Sequence, residues 1–275
     1  MNLNHIIGNE KKGTLQSRQK TVERVITTIS EKLDEQYSLS DMAHIAYLSP
    51  FHFNRIFHQI TGLPPSQFLY ALRLEQAKRL LLTTEMSVTD ICFEVGYNSL
   101  GTFTSRFTEL VGLSPRDYRR LGEKIRSFDW EKLFREGWKT RSDCPTKPFL
   151  SGTIYAPEGF EGLIFTGLFQ QMIPQNFPVA GTLMVHSGSF VIDSLPDGEF
   201  HLLSAALPHS KDAIKYLLPD FSEILVGVSE TTISITSKRN IKDLEIYLRP
   251  FEITDPPILL ALPNLLVNSL TSLSS

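Results

Sequence analysis

Phe51, Asn54, Arg55 and His58 stand at positions i, i+3, i+4 and i+7, the spacing that gathers four side chains onto one face of a helix. Their chemistry suits the reading of flat, hydrogen-bonding edges. An arginine offers two parallel N–H groups, which match the paired acceptors of a guanine. An asparagine amide offers one donor and one acceptor, which match an adenine. Phe51 adds an apolar surface of the kind that meets a thymine methyl. Phe53, Ile56, Phe57 and Ile60 fall on the other side and predict a buried stripe. Alone, such a face means little, because any surface helix exposes an arginine and an asparagine. Its surroundings give it weight.

Those surroundings are a repeat. Residues 39–68 read LSDMAHIAYLSPFHFNRIFHQITGLPPSQF, and residues 88–118 read VTDICFEVGYNSLGTFTSRFTELVGLSPRDY. Leu39, Ala43, Phe53, Phe57, Gly62, Leu63, Pro65 and Phe68 correspond to Val88, Cys92, Phe103, Phe107, Gly112, Leu113, Pro115 and Tyr118. The second copy has one extra residue in its turn. Each copy reads as a short helix, a tight turn and a second helix, the unit whose second helix enters a DNA major groove. In the second copy the outward positions are Gly101, Thr104, Ser105 and Thr108. Short hydroxyls and a glycine allow close backbone approach and phosphate contact, which position more than they specify. Arg106 sits at the edge of the apolar face and either reaches a phosphate or covers apolar surface. Arg116, Arg119 and Arg120 flank the exit of the second unit and are candidate phosphate contacts, or a solvated basic helix end.

The elements that position these residues follow from local pattern. Val22, Val25, Ile26, Ile29 and Leu33 predict a helix over about 17–36, after a polar, glycine-broken start expected to be poorly ordered. Ser40 is the expected N-cap of the next helix, and Tyr47-Leu48-Ser49 is its turn. Pro50 suits a first helical position, and Gly62 suits a left-handed C-cap before Pro64-Pro65. Residues 66–83 predict a long amphipathic connector. Ser87 or Thr89 starts the next helix, Gly96 lies in its turn, and Ser99 caps a helix over 100–111. Another helix follows Pro115. A further one is expected around Asp129 to Glu136.

Beyond the linker the period changes. Residues 153–155, 163–169, 181–185, 189–192, 200–205, 224–228, 231–236 and 244–248 are short β-branched or apolar runs separated by Gly, Pro and Asp. They predict seven or eight strands in a β-sandwich, with a helix inserted within 208–221. The expected architecture is α+β multidomain. It comprises an all-α tandem helix-turn-helix domain (17–122), a helical linker (123–148), an all-β sandwich domain (149–252) and a tail (253–275) whose place the sequence leaves open.

Length and composition agree with such a chain. At 275 residues two domains are expected. The net charge of -3 conceals an asymmetry, with an excess of about two positive charges over 17–126 and about six negative charges over 127–275. Nucleic-acid binding is therefore expected in the first half. Two cysteines make no disulfide framework; Cys92 falls on a core face and Cys144 in the linker. The apolar run ILLALPNLLV is too short and Pro-broken to span a bilayer, and MNLNHIIGNEKKG does not read as a secretory signal. A cytoplasmic protein with no membrane partner is expected. His186, His201 and His209 lack metal-ligand spacing. No nucleophile elbow or phosphate loop is present. Neither catalysis nor a cofactor nor a metal is expected.

The two HTH copies, the IFHQITGLPPSQFLYALRLEQAKRLLL stretch and the ICFEVGYNSLGTFTSRFTELVGLSPRDYRR stretch resemble the AraC/XylS family of bacterial transcription regulators over roughly residues 20–121. The resemblance implies that Phe51, Asn54 and Arg55 contact bases, together with residues of the second recognition helix. Two departures stand out. The family usually has an arginine where Ser105 stands, and here Arg106 follows it. The family also more often places its DNA-binding part at the C-terminus. A weaker resemblance, through GSFVIDSLPDGEFHLLSAAL, is to transthyretin-like or carboxypeptidase-regulatory-like β-sandwiches. The expectation is a sequence-specific regulator that binds double-stranded DNA in two successive major grooves, with a sandwich that senses a small molecule. The alternatives are a sandwich used only for dimerisation or protein contacts, or an enzyme fused to the DNA-binding part. Candidate partners beyond DNA are RNA polymerase, a small-molecule effector and a second copy of the chain.

Overall fold

In the computed structural model, residues 3–126, 148–229, 231–236 and 239–261 are described, with side chains from Leu15 onward. The helix expected around Asp129 to Glu136, the position of Cys144 and the tail beyond Ala261 lie outside the described residues. The chain divides into two compact units. One comprises Met1–Ala77, Met86–Phe103 and Glu252–Pro257; the other comprises Lys78–Glu85, Thr104–Phe251 and Ile258–Ser275.

The first unit is built around α1 (Leu3–Ser30), α2 (Leu39–Ile45), α3 (Pro50–Thr61), the first part of α4 (Pro65–Thr83) and α5 (Val88–Glu94). The helix α1 starts at Leu3, well before the expected start near Ser17. Gly8 and Gly13 each weaken a helix by about 1 kcal/mol against alanine. No proline interrupts the segment, so no backbone donor is lost and the hydrogen-bond ladder continues. Val22, Val25, Ile26 and Ile29 are buried as their period requires. The α2 cap also differs from expectation: it is Ser38, not Ser40. Ser38 accepts from the Asp41 N–H and donates its own N–H to the Asp41 carboxylate, forming a capping box. Ser40 has no acidic residue three places on, and Ser38 does. The same Ser-x-x-Asp device begins α5, where the Asp90 N–H donates to Ser87.

Aromatic packing joins these helices. Phe53 and Phe57 stack edge-on at 5.4 Å, and Phe57 meets Phe68 at 5.4 Å. Tyr97 meets Phe103 at 5.3 Å. Each fully buried phenylalanine contributes about 1.5–3 kcal/mol by its removal from water. Arg73, almost wholly buried, closes the end of the α1 segment: its Nε donates to the Leu33 carbonyl at 3.0 Å and its Nη2 to the Glu35 carbonyl at 2.8 Å.

The second unit holds most of α6 (Leu100–Val111), α7 (Pro115–Arg126) and the strands. One sheet has the order β4 (Gly188–Ile192), β1 (Leu150–Tyr155), β8 (Ile241–Tyr247). The other runs β3 (Ala180–Met184), β2 (Gly162–Phe169), β5 (Gly198–Pro208), β6 (Leu225–Val228), β9 (Arg249–Pro250), with β7 (Ile233–Ile235) also on β5. The pairing of β1 with β8 is parallel, and the other described pairings are antiparallel. Leu150, Ile154, Phe190, Ile192 and Ile246 from the first sheet share one buried cluster with Ile164, Leu168, Leu202 and Ala206 from the second. The interior strand β2 is buried along its whole length, which is why it reads as a continuous apolar run rather than an alternation. Its one internal hydroxyl, Thr166, lies opposite Ser204 and hydrogen-bonds it at 2.9 Å. Within 208–221 the helical element is a single 3-10 turn, Ala213–Tyr216.

The tail, which the sequence left without a place, enters this unit. Ile258, Leu259, Leu260 and Ala261 are buried, and the Leu259 and Leu260 N–H groups donate to the Pro174 carbonyl. The buried Lys78 Nζ donates to the Ile258 carbonyl at 2.7 Å. Helical and β segments meet at two further points. The Tyr118 hydroxyl donates to the Leu217 carbonyl at 3.1 Å, and the Asn176 N–H donates to the Leu110 carbonyl.

Candidate nucleic-acid interface

The helix α3 is positioned from both ends. The Ser49 hydroxyl accepts from the His52 N–H, Pro50 fills the first turn, and Gly62 closes the helix at φ 75° with its N–H on the His58 carbonyl. Phe53, Ile56 and Phe57 are buried, so the helix cannot rotate without exposing them. That fixes the opposite face outward. Asn54, Arg55 and His58 are exposed, and Phe51 is 81% exposed. An aromatic ring left this open beside an arginine and an asparagine forms a surface that can read base edges and a methyl group. Arg55 Nη2 lies 3.4 Å from His52 Nδ1 at the surface of the same helix.

The helix α6 is seated in the same way. The Ser99 hydroxyl accepts from Thr102 N–H at 3.4 Å, and Phe103, Phe107 and Val111 are buried. Gly101, Ser105 and Thr108 are exposed, while Thr104 and Arg106 are half-buried. The Thr108 hydroxyl donates back to the Thr104 carbonyl at 2.8 Å, so it presents an acceptor outward rather than a donor. On α7, Arg116 and Arg120 are exposed. Arg120 lies 3.6 Å from the Asp117 carboxylate, a solvent-exposed pair of little energetic weight. Arg119 differs from both, because its Nε donates to the Leu81 carbonyl at 3.0 Å. The thiol of Cys92 is buried under α5, and that burial pushes its pKa up, away from the thiolate that reactive cysteines need. No group of His, Cys, Asp and Glu suited to a metal occurs among the described residues. No described helix is long and apolar enough to cross a membrane.

The turns before α3 and α6 share a hydrogen-bond pattern but differ in residue type. In the first, Tyr47 N–H donates to the His44 carbonyl and Leu48 N–H to the Ala43 carbonyl. In the second, Gly96 N–H donates to Phe93 and Tyr97 N–H to Cys92. This paired closure requires a left-handed residue, normally glycine. Gly96 has φ +83° and Tyr47 has φ +56°. A left-handed residue carrying a Cβ costs about 1–2 kcal/mol. In the sequence Tyr47 is expected only as a turn residue. The signal that could have found it is its alignment with Gly96.

A family model described as a helix-turn-helix domain matches residues 42–121. The chain is similar to the melibiose operon regulatory protein of Escherichia coli K12, with 30% identity over 105 residues, covering 38% of this chain and 35% of that protein. It is also similar to the HTH-type transcriptional activator AarP of Providencia stuartii, with 30% identity over 98 residues, covering 36% of this chain and 73% of AarP. Among solved structures, the DNA-binding domain of the global transcriptional factor AdpA in complex with a target DNA is 32% identical, with a TM-score of 0.38, covering 39% of this chain and 97% of that one. The chain spans about a third of the length of the first curated relatives it matches.

Proposed function

The chain belongs to the AraC/XylS family of transcription regulators, and from that premise we propose that it binds double-stranded DNA at specific sequences through two recognition helices. The first, α3, enters a major groove and reads bases with Phe51, Asn54, Arg55 and His58. The second, α6, enters the next groove and contributes Gly101, Thr104, Ser105, Arg106 and Thr108, mainly against the backbone. Arg116 and Arg120 add phosphate contacts at the exit; Arg119 contributes less, because it is tied to Leu81. The observation that carries this reading is the outward face of α3, with Phe51 81% exposed above a fully buried Phe53–Phe57 stripe.

The helix-turn-helix domain comprises 17–122, and 123–148 links it to a sandwich of the two sheets over 149–252, with 253–275 as the tail. In this reading the sandwich senses a small molecule in the cytoplasm, and the regulator acts on RNA polymerase without catalysis of its own. A cavity of about 410 Å³, lined by Leu207, His209, Lys215, Asp220 and Ile224 among others, supports a ligand of modest size. Two of its lining residues, Lys215 and Pro219, flank in sequence Leu217, whose carbonyl accepts from Tyr118 of α7, so occupancy would bear on the second DNA-binding unit. An alternative role, contact with a second copy or another protein, is favoured by the exposed stack of Tyr155 on Tyr247 at 4.8 Å.

The test is binding to a panel of site variants. Arg55→Ala is expected to lose about 1–3 kcal/mol at the preferred site and to relax one base pair. Ser105→Ala is expected to lose much less, because a hydroxyl has no bidentate fork. An equal loss from Arg55→Ala on every sequence would make it a phosphate contact and refute base reading by α3.

A further inference from the structure

We propose that Arg24 and Tyr47 form a phosphate clamp at the rim of the groove that α3 enters, a contact that anchors the first recognition helix on the DNA backbone. The proposal rests on the DNA-binding reading above and extends it to residues on a different helix and in the turn.

Three observations converge. Tyr47 holds a left-handed conformation at φ +56° where the second copy of the repeat uses Gly96. Strain of this kind persists where something else requires the residue. Packing does not require it, because Tyr47 is 83% exposed. The Arg24 guanidinium lies 5.2 Å from the centre of the Tyr47 ring, within the range of a cation–π contact. Arg24 is itself exposed on α1 and has no carboxylate partner among the described residues. The pair therefore holds a cation in a defined direction, at the surface, without neutralising it.

Its place in the fold supplies the occupant. Tyr47 precedes the Ser49 cap of α3 by two residues, and the exposed Phe51 follows by four. A recognition helix enters the major groove by its N-terminal part, while the preceding helix and turn lie against the strand backbone. The group facing the turn is then a phosphodiester, and a planar guanidinium fixed by stacking is the side chain best matched to it. Lys20, one turn earlier on α1 and also exposed, adds positive charge along the same line.

The test uses the full chain and a duplex selected by the wild-type protein from a random pool, with affinity measured by anisotropy from 50 to 200 mM KCl. Neutralising one phosphate contributes about 0.9 to the salt slope, or about eightfold in affinity at 0.1 M salt. Arg24→Gln is expected to lose that slope and that affinity equally on the selected and a scrambled duplex. Tyr47→Leu keeps a residue with a Cβ at the left-handed position and keeps the arginine charge, but removes the ring. It is expected to bind about two- to fivefold more weakly, the value of the lost stack, with the wild-type slope. If Arg24→Gln lowers the melting temperature, Arg24→Lys restores the charge, and its slope must then return to the wild-type value. A folded Arg24→Gln protein with an unchanged slope would overturn the clamp, as would a Tyr47→Leu protein that binds like wild type. In either case the wild-type protein still binds DNA and the functional reading stands. If the wild-type protein selects no sequence and binds no duplex, that reading fails and the clamp fails with it.

Discussion

Gly96→Ala adds a single methyl group at the turn before α6, and its cost can be worked out from the surroundings. Gly96 has φ +83°, a conformation that costs a residue with a Cβ about 1–2 kcal/mol. A Cβ placed there would collide with the Leu33 carbonyl oxygen and would come within 2.8 Å of the Arg73 guanidinium. Neither neighbour moves cheaply. The carbonyl is main chain, and the guanidinium donates to the Leu33 and Glu35 carbonyls. Gln36 also donates to the Gly96 carbonyl at 3.0 Å, so the turn is held from its other side. Overpacking of this kind costs about 1–3 kcal/mol. The two effects add to about 2–5 kcal/mol, a large part of the 5–15 kcal/mol that keeps a typical domain folded. With a urea slope of about 1–3 kcal/mol per molar, the helical transition followed by circular dichroism at 222 nm should move down by at least about 0.7 M. Gly101→Ala is the control. Its nearest neighbour would be Ser99 Oγ at 3.8 Å in a helix, so that variant should be neutral or gain up to about 1 kcal/mol. A loss at Gly96 no larger than about 1 kcal/mol would show that the carbonyl and the arginine yield, and would refute the steric part of the argument.

Two other outcomes are expected. Tyr118→Phe removes the hydroxyl that donates to the buried Leu217 carbonyl and leaves that acceptor without its partner; it should cost about 1–3 kcal/mol in a urea melt, and an unchanged midpoint would show that water replaces the hydroxyl. The Asp41 carboxylate is held below its ordinary pKa by the Ser38 hydroxyl first and the Ser38 N–H second. A depressed acid stabilises the fold above its unfolded pKa, and that contribution is lost as pH falls through the folded value. Ser38→Ala should therefore raise the Asp41 pKa toward its ordinary value in an NMR titration and flatten the acid limb of stability below about pH 4. A pKa that does not move would remove the capping box as its cause.

Local chemistry determined much of this protein. Proline at position 50, glycine at 62 and the 3.6-residue spacing of Phe53, Ile56 and Phe57 define α3 without help from distant residues, because each acts within a turn or two of helix. The outward face of Asn54 and Arg55 follows from that buried stripe, so the candidate site on α3 was legible. The strand runs were legible for a similar reason: β-branched and apolar residues mark β1 to β8 wherever they pair, whereas the two-residue β9, Arg249–Pro250, carries no such mark. The Ser38 cap was legible in principle, since the acid three residues later discriminates it from Ser40.

Tertiary structure decided what depends on the path of the chain. The parallel pairing of β1 with β8 brings Ile154 beside Ile246, and no local spacing encodes which strands become neighbours. Leu33 and Arg73 turn Gly96 from a convenient residue into a required one. Lys78 reaches the Ile258 carbonyl 180 positions away, which places an apolar tail that periodicity could not assign. The cation over Tyr47 comes from Arg24 on another helix. Loop-closure entropy rises only slowly with separation, so the favoured long-range contacts are selected by packing and hydrogen-bond satisfaction in the folded state. That selection becomes visible only once the whole chain is in place.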